Sequence, residues 1–261
     1  YLPHMSTALF SAFRESGSTF SSVFLFFTGQ NVKRLISACG RFQELFGRRP
    51  EIIQLDRALF ADFQTSNHIT ETSYARLLIP ELLPIAVRWA LYLDSDTVVR
   101  RNLDPLTTII GEQSSAQRDV LLWAVSETYN GHLAREGFSG DAYFNSGVML
   151  LNLENARKSF LGSTCLALAS DTSRRFPRWD QDVMNLAVDG KWRHLPAEFN
   201  WRKHEPSDSA RIVHFSGRSK PWTQGYSFYF SEDYERARSH TPFFPYKKEK
   251  KDSRGRLAQR V

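Results

Sequence analysis

A short apolar run ends in two acidic residues at Ala90-Leu91-Tyr92-Leu93-Asp94-Ser95-Asp96. Four consecutive apolar residues predict a buried strand, and the ligands of open α/β sheets collect where such strands end. Two carboxylates one residue apart at that edge suit a hard divalent cation, and the cation suits a substrate that carries phosphate groups. Because acids at strand ends are also common turn formers, this pattern by itself leaves a plain turn open.

A second segment, far downstream, contains groups that a turn would not require. The run from His214 to Trp222 supplies an imidazole, a glycine at position 217 and a lysine at position 220. A glycine lets the backbone approach a ligand closely, and a lysine is a cation that can face phosphate. Together the two segments favour a metal and phosphate site over a turn.

The rest of the chain alternates between strand and helix patterns. Apolar runs predict strands at 22–27, 51–55, 120–125, 145–153 and 212–215. Helical spacing of apolar residues predicts helices at 6–15, 32–46, 154–170 and 180–188. This alternation is typical of βα units and predicts an α/β protein with a largely parallel sheet.

Composition favours one soluble domain, residues 1–246, followed by a basic tail, residues 247–261. The chain has 261 residues, of which 41% are hydrophobic and 24% charged. The tail carries seven basic residues against two acidic ones, so it accounts for +5 of the net charge of +6. A nearly neutral body argues against a nucleic-acid partner. The tail is either a solvated end or a segment attracted to an anionic membrane surface.

The cysteines and the hydropathy bear on the compartment. Two cysteines, Cys39 and Cys165, form neither a disulfide framework nor a zinc spacing, which favours a reducing, cytoplasmic compartment. The most apolar stretch, residues 77–93, is interrupted by charged residues and prolines, so we expect no segment that spans a bilayer.

Five local patterns stand in order along the chain. They are Tyr74-Ala75-Arg76, Leu91 to Asp96, Phe144 to Val148, Asp180-Gln181-Asp182 with Asn185, and His214 to Trp222. This set resembles family 8 glycosyltransferases, the retaining nucleotide-sugar enzymes that include glycogenin and bacterial lipopolysaccharide galactosyl- and glucosyltransferases. The resemblance implies a GT-A type nucleotide-binding fold, with a mixed, mainly parallel sheet flanked by helices.

The resemblance also implies roles for individual residues. Asp94, Asp96 and His214 would bind a metal ion, Mn²⁺ in the first place and Mg²⁺ in the second, since an imidazole beside carboxylates fits Mn²⁺ better than Ca²⁺. The residues implied near the reacting sugar and the leaving group are Asp180, Gln181 and Lys220. The residues implied in binding the nucleotide sugar are Tyr1, Arg76, Asp94, Ser95, Asn145, Gly217 and Lys220.

The implied reaction moves glucose or galactose from a UDP-sugar to a hydroxyl of a glycan and retains the anomeric configuration. Retaining glycosidases use a carboxylate nucleophile, but Asp94 and Asp96 would be committed to the metal. We therefore expect the acceptor hydroxyl to attack from the face that the diphosphate leaves. A lipid-linked glycan at the inner face of the cytoplasmic membrane is the expected acceptor.

The chain departs from the family pattern at its start. Relatives begin with an apolar strand and an Ala-Asp-x-x-Tyr-like turn that binds uracil, and Tyr1 matches that tyrosine. We therefore expect a central strand and part of the uridine site to lie outside residues 1–261, with reduced affinity for UDP.

Two other interpretations stay open. Asp94 to Val98 also fits the Asp-x-Asp-x-[Thr/Val] motif of haloacid-dehalogenase-like phosphatases, in which Asp94 would be a nucleophile and Asp96 a general acid with Mg²⁺. That interpretation leaves the segment from His214 to Trp222 unexplained. The other is a nucleotide-sugar-binding module that has lost turnover.

Overall fold

The computed structural model describes residues 2–16, 19–29, 32–61, 63, 71–112, 119–128, 131–139, 142–203, 205–217, 219–226 and 229–245. The strands in these ranges are β1 (Phe24–Phe27), β2 (Glu51–Gln54), β3 (Trp89–Leu93), β4 (Thr97–Val99), β5 (Leu122–Glu127), β6 (Tyr143–Asn152), β7 (Trp192–His194) and β8 (Ile212–His214). The α-helices are α1 (Leu2–Ser16), α2 (Val32–Phe46), α3 (Ile79–Leu82), α4 (Pro105–Gly111), α5 (Leu153–Lys158), α6 (Leu161–Ser170), α7 (Asp180–Val188) and α8 (Ser231–Ser239). Short 3₁₀ helices span Arg57–Phe60, Glu71–Leu78, His132–Glu136 and Ala197–Asn200.

The strands form one four-stranded sheet and two strand pairs. The sheet has the order β3-β6-β5-β7, and the pairs are β1-β2 and β4-β8. Strand β6 lies between β3 and β5, and all ten of its residues are buried. Apolar clusters cover both faces of this sheet, so β6 passes through the middle of the core.

The predicted α/β fold with a mixed sheet is confirmed, but parallel pairs are not the majority. Among the described strands, β1-β2 and β5-β7 pair in parallel, whereas β3-β6, β5-β6 and β4-β8 pair antiparallel. The described part of the connection between β5 and β6 holds only the 3₁₀ helix His132–Glu136. Without an α-helical crossover to carry the chain back, β6 returns antiparallel to its neighbour.

The single helix predicted at 154–170 is wrong, since the structure has two helices there. Phe160 lies between α5 and α6 with a φ of 54°, in the left-handed region. The Glu81 carboxylate, from α3, accepts hydrogen bonds from the backbone of Gly162 and Ser163 at the start of α6. A Cβ on Gly162 would lie 1.8 Å from Glu81 Oε2, so this close approach requires glycine. The carboxylate of Glu81, about 80 residues earlier in the chain, thus determines where helix α6 begins.

The other predicted elements occur with small shifts of their ends. The part of the chain that the structure describes contains no helix long and apolar enough to cross a membrane. The basic tail, residues 247–261, and Tyr1 lie outside the described residues, so the predicted division into a domain and a tail stays a prediction.

Candidate active site

Two backbone pairings bring the acid pair and His214 together. Asp94 follows β3 directly, and its N–H donates to the carbonyl of Gly147 in β6 at 2.8 Å. Antiparallel pairing of β4 with β8 puts Thr97 opposite His214, and the N–H of Phe215 donates to the carbonyl of Asp96. Residues more than 100 positions apart therefore meet at one edge.

The candidate metal ligands Asp94, Asp96 and His214 form one cluster. Their ligand atoms all lie within 4.8 Å of one another. His214 Nε2 is 3.7 Å from Asp94 Oδ2 and 3.3 Å from Asp96 Oδ1. Two carboxylates and an imidazole are a suitable set of donors for Mn²⁺.

A glycine in β6 leaves the room that this cluster needs. A Cβ on Gly147 would lie 2.1 Å from His214 Cε1 and 2.8 Å from Asp94 Oδ2, so any side chain here would displace the ligands. Gly147 lies within the pattern Phe144 to Val148 but was not among the predicted site residues. The donor types and this space fit a divalent cation.

The side-chain amide of Asn200 forms a hydrogen bond with the imidazole of His214, on the side away from the two acids. His214 Nδ1 lies 3.0 Å from Asn200 Oδ1, and Asn200 Nδ2 donates to Asn145 Oδ1 at 2.9 Å. Because Asn200 Oδ1 can only accept, His214 donates from Nδ1, and Nε2 is the atom that faces the two carboxylates. Such an outer hydrogen bond orients a metal-binding histidine, and Asn200 was not among the predicted site residues.

Arg76 is a buried cation. It lies on the 3₁₀ helix Glu71–Leu78 and forms ion pairs with Asp94 at 2.8 Å and Asp180 at 2.9 Å. Burial opposes its charge, but Asp180 and Asp94 outweigh burial and raise the pKa of Arg76. Arg76 therefore lies between the candidate metal ligands and α7.

Lys220 supplies a second cation on the opposite side of the cluster. Its Nζ contacts Asp96 Oδ2 and donates to the carbonyl of Phe215 at 2.7 Å. Burial raises the pKa of Asp96, but His214 and Lys220 outweigh burial and hold that pKa well below its usual value. Gly217 has a φ of 87°, a backbone conformation that favours glycine in the turn before Lys220.

Asp180 is the first residue of helix α7. The capping position is Trp179, whose φ is 48° and whose side chain forms no capping bond. The Asp180 carboxylate instead faces Arg76. Burial raises the pKa of Asp180 to about 6, although Arg76 works in the opposite direction.

Gln181 is fixed at both ends of its amide. Its Oε1 accepts from Asn145 Nδ2 at 3.0 Å and from the N–H of Ser146 at 3.2 Å. Its Nε2 donates to Glu127 Oε2 at 3.2 Å and lies 3.1 Å from the hydroxyl of Tyr143. Glu127 was also missed, although it ends strand β5 and carries the same signal as the acid pair.

One large cleft connects these groups. It has a volume of about 1460 Å³, and the predicted site residues that line it are Asp94, Ser95, Asp96, His214, Arg76, Asn145, Asp180, Gln181, Gly217 and Lys220. Every predicted site residue among the described ones therefore faces the same space; Tyr1 lies outside the described residues.

The α/β fold with a mixed sheet is similar to that of solved GT-A type glycosyltransferases. The galactosyltransferase LgtC, solved with donor and acceptor sugar analogues, superposes with a TM-score of 0.77 and covers 94% of each chain at 22% identity. Residues 1–225 match glycosyl transferase family 8. The chain belongs to this family, which confirms the resemblance and excludes the phosphatase interpretation.

Two curated relatives show how far the likeness extends. General stress protein A of Bacillus subtilis (strain 168) is 23% identical over 224 residues, 75% of this chain and 74% of that protein. A lipopolysaccharide 1,2-glucosyltransferase of Escherichia coli is 29% identical over 180 residues, 62% of this chain and 52% of that protein. The chain thus spans about three quarters of the first relative and half of the second.

Proposed function

We propose that the chain transfers glucose or galactose from a UDP-sugar to a glycan hydroxyl, with a divalent cation, and retains the anomeric configuration. The observation that carries the proposal is the convergence of Asp94, Asp96 and His214 inside a cleft that also exposes Lys220. Relatives named as lipopolysaccharide glucosyl- and galactosyltransferases support both the donor sugars and the glycan acceptor.

The three clustered side chains would hold the cation. Two carboxylates provide hard oxygen ligands and His214 a nitrogen ligand, so we propose Mn²⁺ first and Mg²⁺ second. When bound, the cation supplies positive charge beside the diphosphate, which becomes more negative as the bond between sugar and phosphate breaks.

The protein's own cations would also act on the leaving group. Lys220, now paired with Asp96, lies where it can add charge to a departing diphosphate, and the turn at Gly217 brings backbone close to it. Arg76 forms ion pairs with the carboxylates of Asp94 and Asp180, and these ion pairs fix both carboxylates relative to β6. Ser95 lies between the two acids and would contact the nucleotide sugar.

Retention of the anomeric configuration is best explained by attack of the acceptor hydroxyl on the face of the sugar that the diphosphate leaves. Asp94 and Asp96 belong to the metal cluster, and Asp180 is held by Arg76, so none of these three is a free nucleophile. We propose that the acceptor oxygen forms its bond to the anomeric carbon as the phosphate oxygen leaves and takes the hydroxyl proton. Gln181 and Asn145 would position the sugar at that carbon.

We further propose that the acceptor is lipid-linked and that the basic tail holds the enzyme against the inner face of the cytoplasmic membrane. Basic residues near an anionic surface each contribute roughly 1 kcal/mol of attraction. Deleting residues 247–261 should weaken binding to anionic vesicles and leave release of UDP unchanged. Unaltered vesicle binding would remove the membrane proposal.

The deciding experiment is a hydrolysis screen of UDP-, GDP- and CMP-sugars with Mn²⁺, in which the freed nucleotide is measured. We expect release of UDP from UDP-glucose or UDP-galactose, and loss of that release on chelation. Binding of UDP-sugar without any release would instead support the binding module that has lost turnover.

A further inference from the structure

Glu127, Arg178 and Arg202 form a charged cluster beside Gln181, and the roles proposed above do not use it. We propose that this cluster is the acceptor subsite, and that its two arginines bind an anionic substituent, phosphate or carboxylate, on the glycan. This inference rests on the proposed function, because it assigns the acceptor end of the same cleft.

The cluster carries an excess of positive charge. Arg178 Nη1 lies 3.4 Å from Glu127 Oε1, and Arg202 Nη1 lies 3.3 Å from the same oxygen. The three side chains are only 20% to 29% exposed. Two cations therefore share one carboxylate oxygen in a partly buried place, and an added anion would balance the charge.

The two guanidinium groups also keep donors without acceptors. Arg202 donates from Nη2 to the carbonyl of Ser126 at 3.1 Å, but its Nε is buried and has no hydrogen-bond partner. Arg178 Nη1 is likewise buried without a partner in hydrogen-bond geometry. Because these two atoms are buried, an oxyanion would bind the partly exposed edges of the two guanidinium groups, whose donors match the oxygens of phosphate and carboxylate.

There is room for a sugar at the cluster. An open surface depression is lined by Ser126, Glu127, Thr128 and Arg202. Glu127 and Arg178 also line the main cleft, next to Gln181. An acceptor can therefore reach the arginines and the proposed reacting centre at the same time.

A chain of hydrogen bonds leads from the candidate metal ligands to the arginine cluster at the other end of the cleft. From His214 it passes through Asn200, Asn145 and Gln181 to Glu127, with distances of 3.0, 2.9, 3.0 and 3.2 Å. The metal cluster at the first end would hold the diphosphate. The acceptor must then extend from the sugar toward the other end, where the arginines lie.

Glu127 joins this end to the reacting centre. Its Oε1 faces the two arginines, while its Oε2 accepts from Gln181 and from Asn145 Nδ2 at 3.1 Å. Because one carboxylate holds both partners, an anion bound by the arginines would have a fixed position relative to the sugar.

The test is calorimetric titration of the full chain, with Mn²⁺ and UDP present, by three glycosides. These are methyl glucoside, methyl glucuronoside and methyl glucoside 6-phosphate, so the last two distinguish carboxylate from phosphate. We expect at least one anionic glycoside to bind about tenfold tighter than the neutral one, or more. The double variant Arg178→Gln with Arg202→Gln should lose this preference, and Arg202→Lys, which keeps the charge, should retain part of it.

Arg41→Gln is the matched control, because it removes one arginine from an exposed ion pair with Glu44, and Arg41 lines neither cavity. It should keep the full preference, and thermal unfolding of each variant checks that the fold is intact. Equal binding of neutral and anionic glycosides, no binding of the anionic ones, or a preference that survives in the double variant would overturn the inference. Release of UDP from UDP-sugar is measured on the same wild-type sample: its absence counts against the proposed function, whereas its presence without a preference counts only against the subsite.

Discussion

Replacing Gly147 with alanine is expected to destroy the metal site without unfolding the protein. The added Cβ would lie 2.1 Å from His214 Cε1, whereas carbon atoms in contact are separated by about 3.5 Å. The imidazole or strand β6 would have to move by about 1.4 Å to restore an ordinary contact. Metal–ligand distances tolerate changes of only about 0.2 Å, so His214 could no longer bind together with Asp94 and Asp96.

The expected loss is large enough to measure directly. A displaced ligand should weaken Mn²⁺ binding by about 100-fold, or about 2.7 kcal/mol, and misplacement by about 1 Å should lower turnover by a similar factor. Mn²⁺ affinity is measured by electron paramagnetic resonance, and turnover by release of UDP from UDP-glucose and UDP-galactose.

The matched control is Gly40→Ala. A Cβ at Gly40, inside helix α2, meets no atom within 4 Å, so this variant should bind Mn²⁺ like the wild type. It should also be more stable by about 1 kcal/mol, because alanine favours a helix over glycine. If Gly147→Ala bound Mn²⁺ as tightly as Gly40→Ala, the space argument for the metal site would be refuted.

Three further variants test separate parts of the site. Asp96→Ala should abolish Mn²⁺-dependent release of UDP, and turnover within tenfold of the wild type would contradict its role as a ligand. Lys220→Ala should lower kcat more than it raises KM, because charge grows on the diphosphate only as the bond breaks; a change in KM alone would argue against this role. Asp180→Asn tests the raised pKa of about 6. The native carboxyl keeps its proton to higher pH than the unfolded one, so the wild type loses stability as pH rises from about 4 to 6 and the variant does not. Between pH 4 and pH 7 the difference in free energy of unfolding between variant and wild type should therefore shift by about 3 kcal/mol in favour of the variant. Urea denaturation at each pH measures this difference. A difference that does not vary with pH would show that Asp180 is ionised throughout.

The candidate metal ligands could be picked out from the sequence because each of them carries a local signal. Asp94 and Asp96 close an apolar strand, and His214 ends another ahead of a glycine and a lysine. What the local pattern could not show is the antiparallel pairing of β4 with β8, which puts Thr97 opposite His214. Pairing between distant strands depends on the whole fold.

Two of the missed residues, Asn200 and Gly147, act through long-range contacts. Asn200 matters because its amide meets His214 and Asn145, and Gly147 because two ligands crowd against it. Neither residue differs in its own neighbourhood from an ordinary asparagine at the end of a short helix or an ordinary strand glycine. The break at Phe160 has a similar origin, since the start of α6 is bound by Glu81 from another helix.

We propose above that Asp94, Asp96 and His214 hold one divalent cation at the donor site. Anomalous X-ray scattering from crystals soaked in Mn²⁺ and UDP tests it most directly. We predict a single manganese peak bounded by the two carboxylates and by His214 Nε2, next to the diphosphate. A peak elsewhere in the cleft, or manganese that binds without contact to His214, would contradict the account.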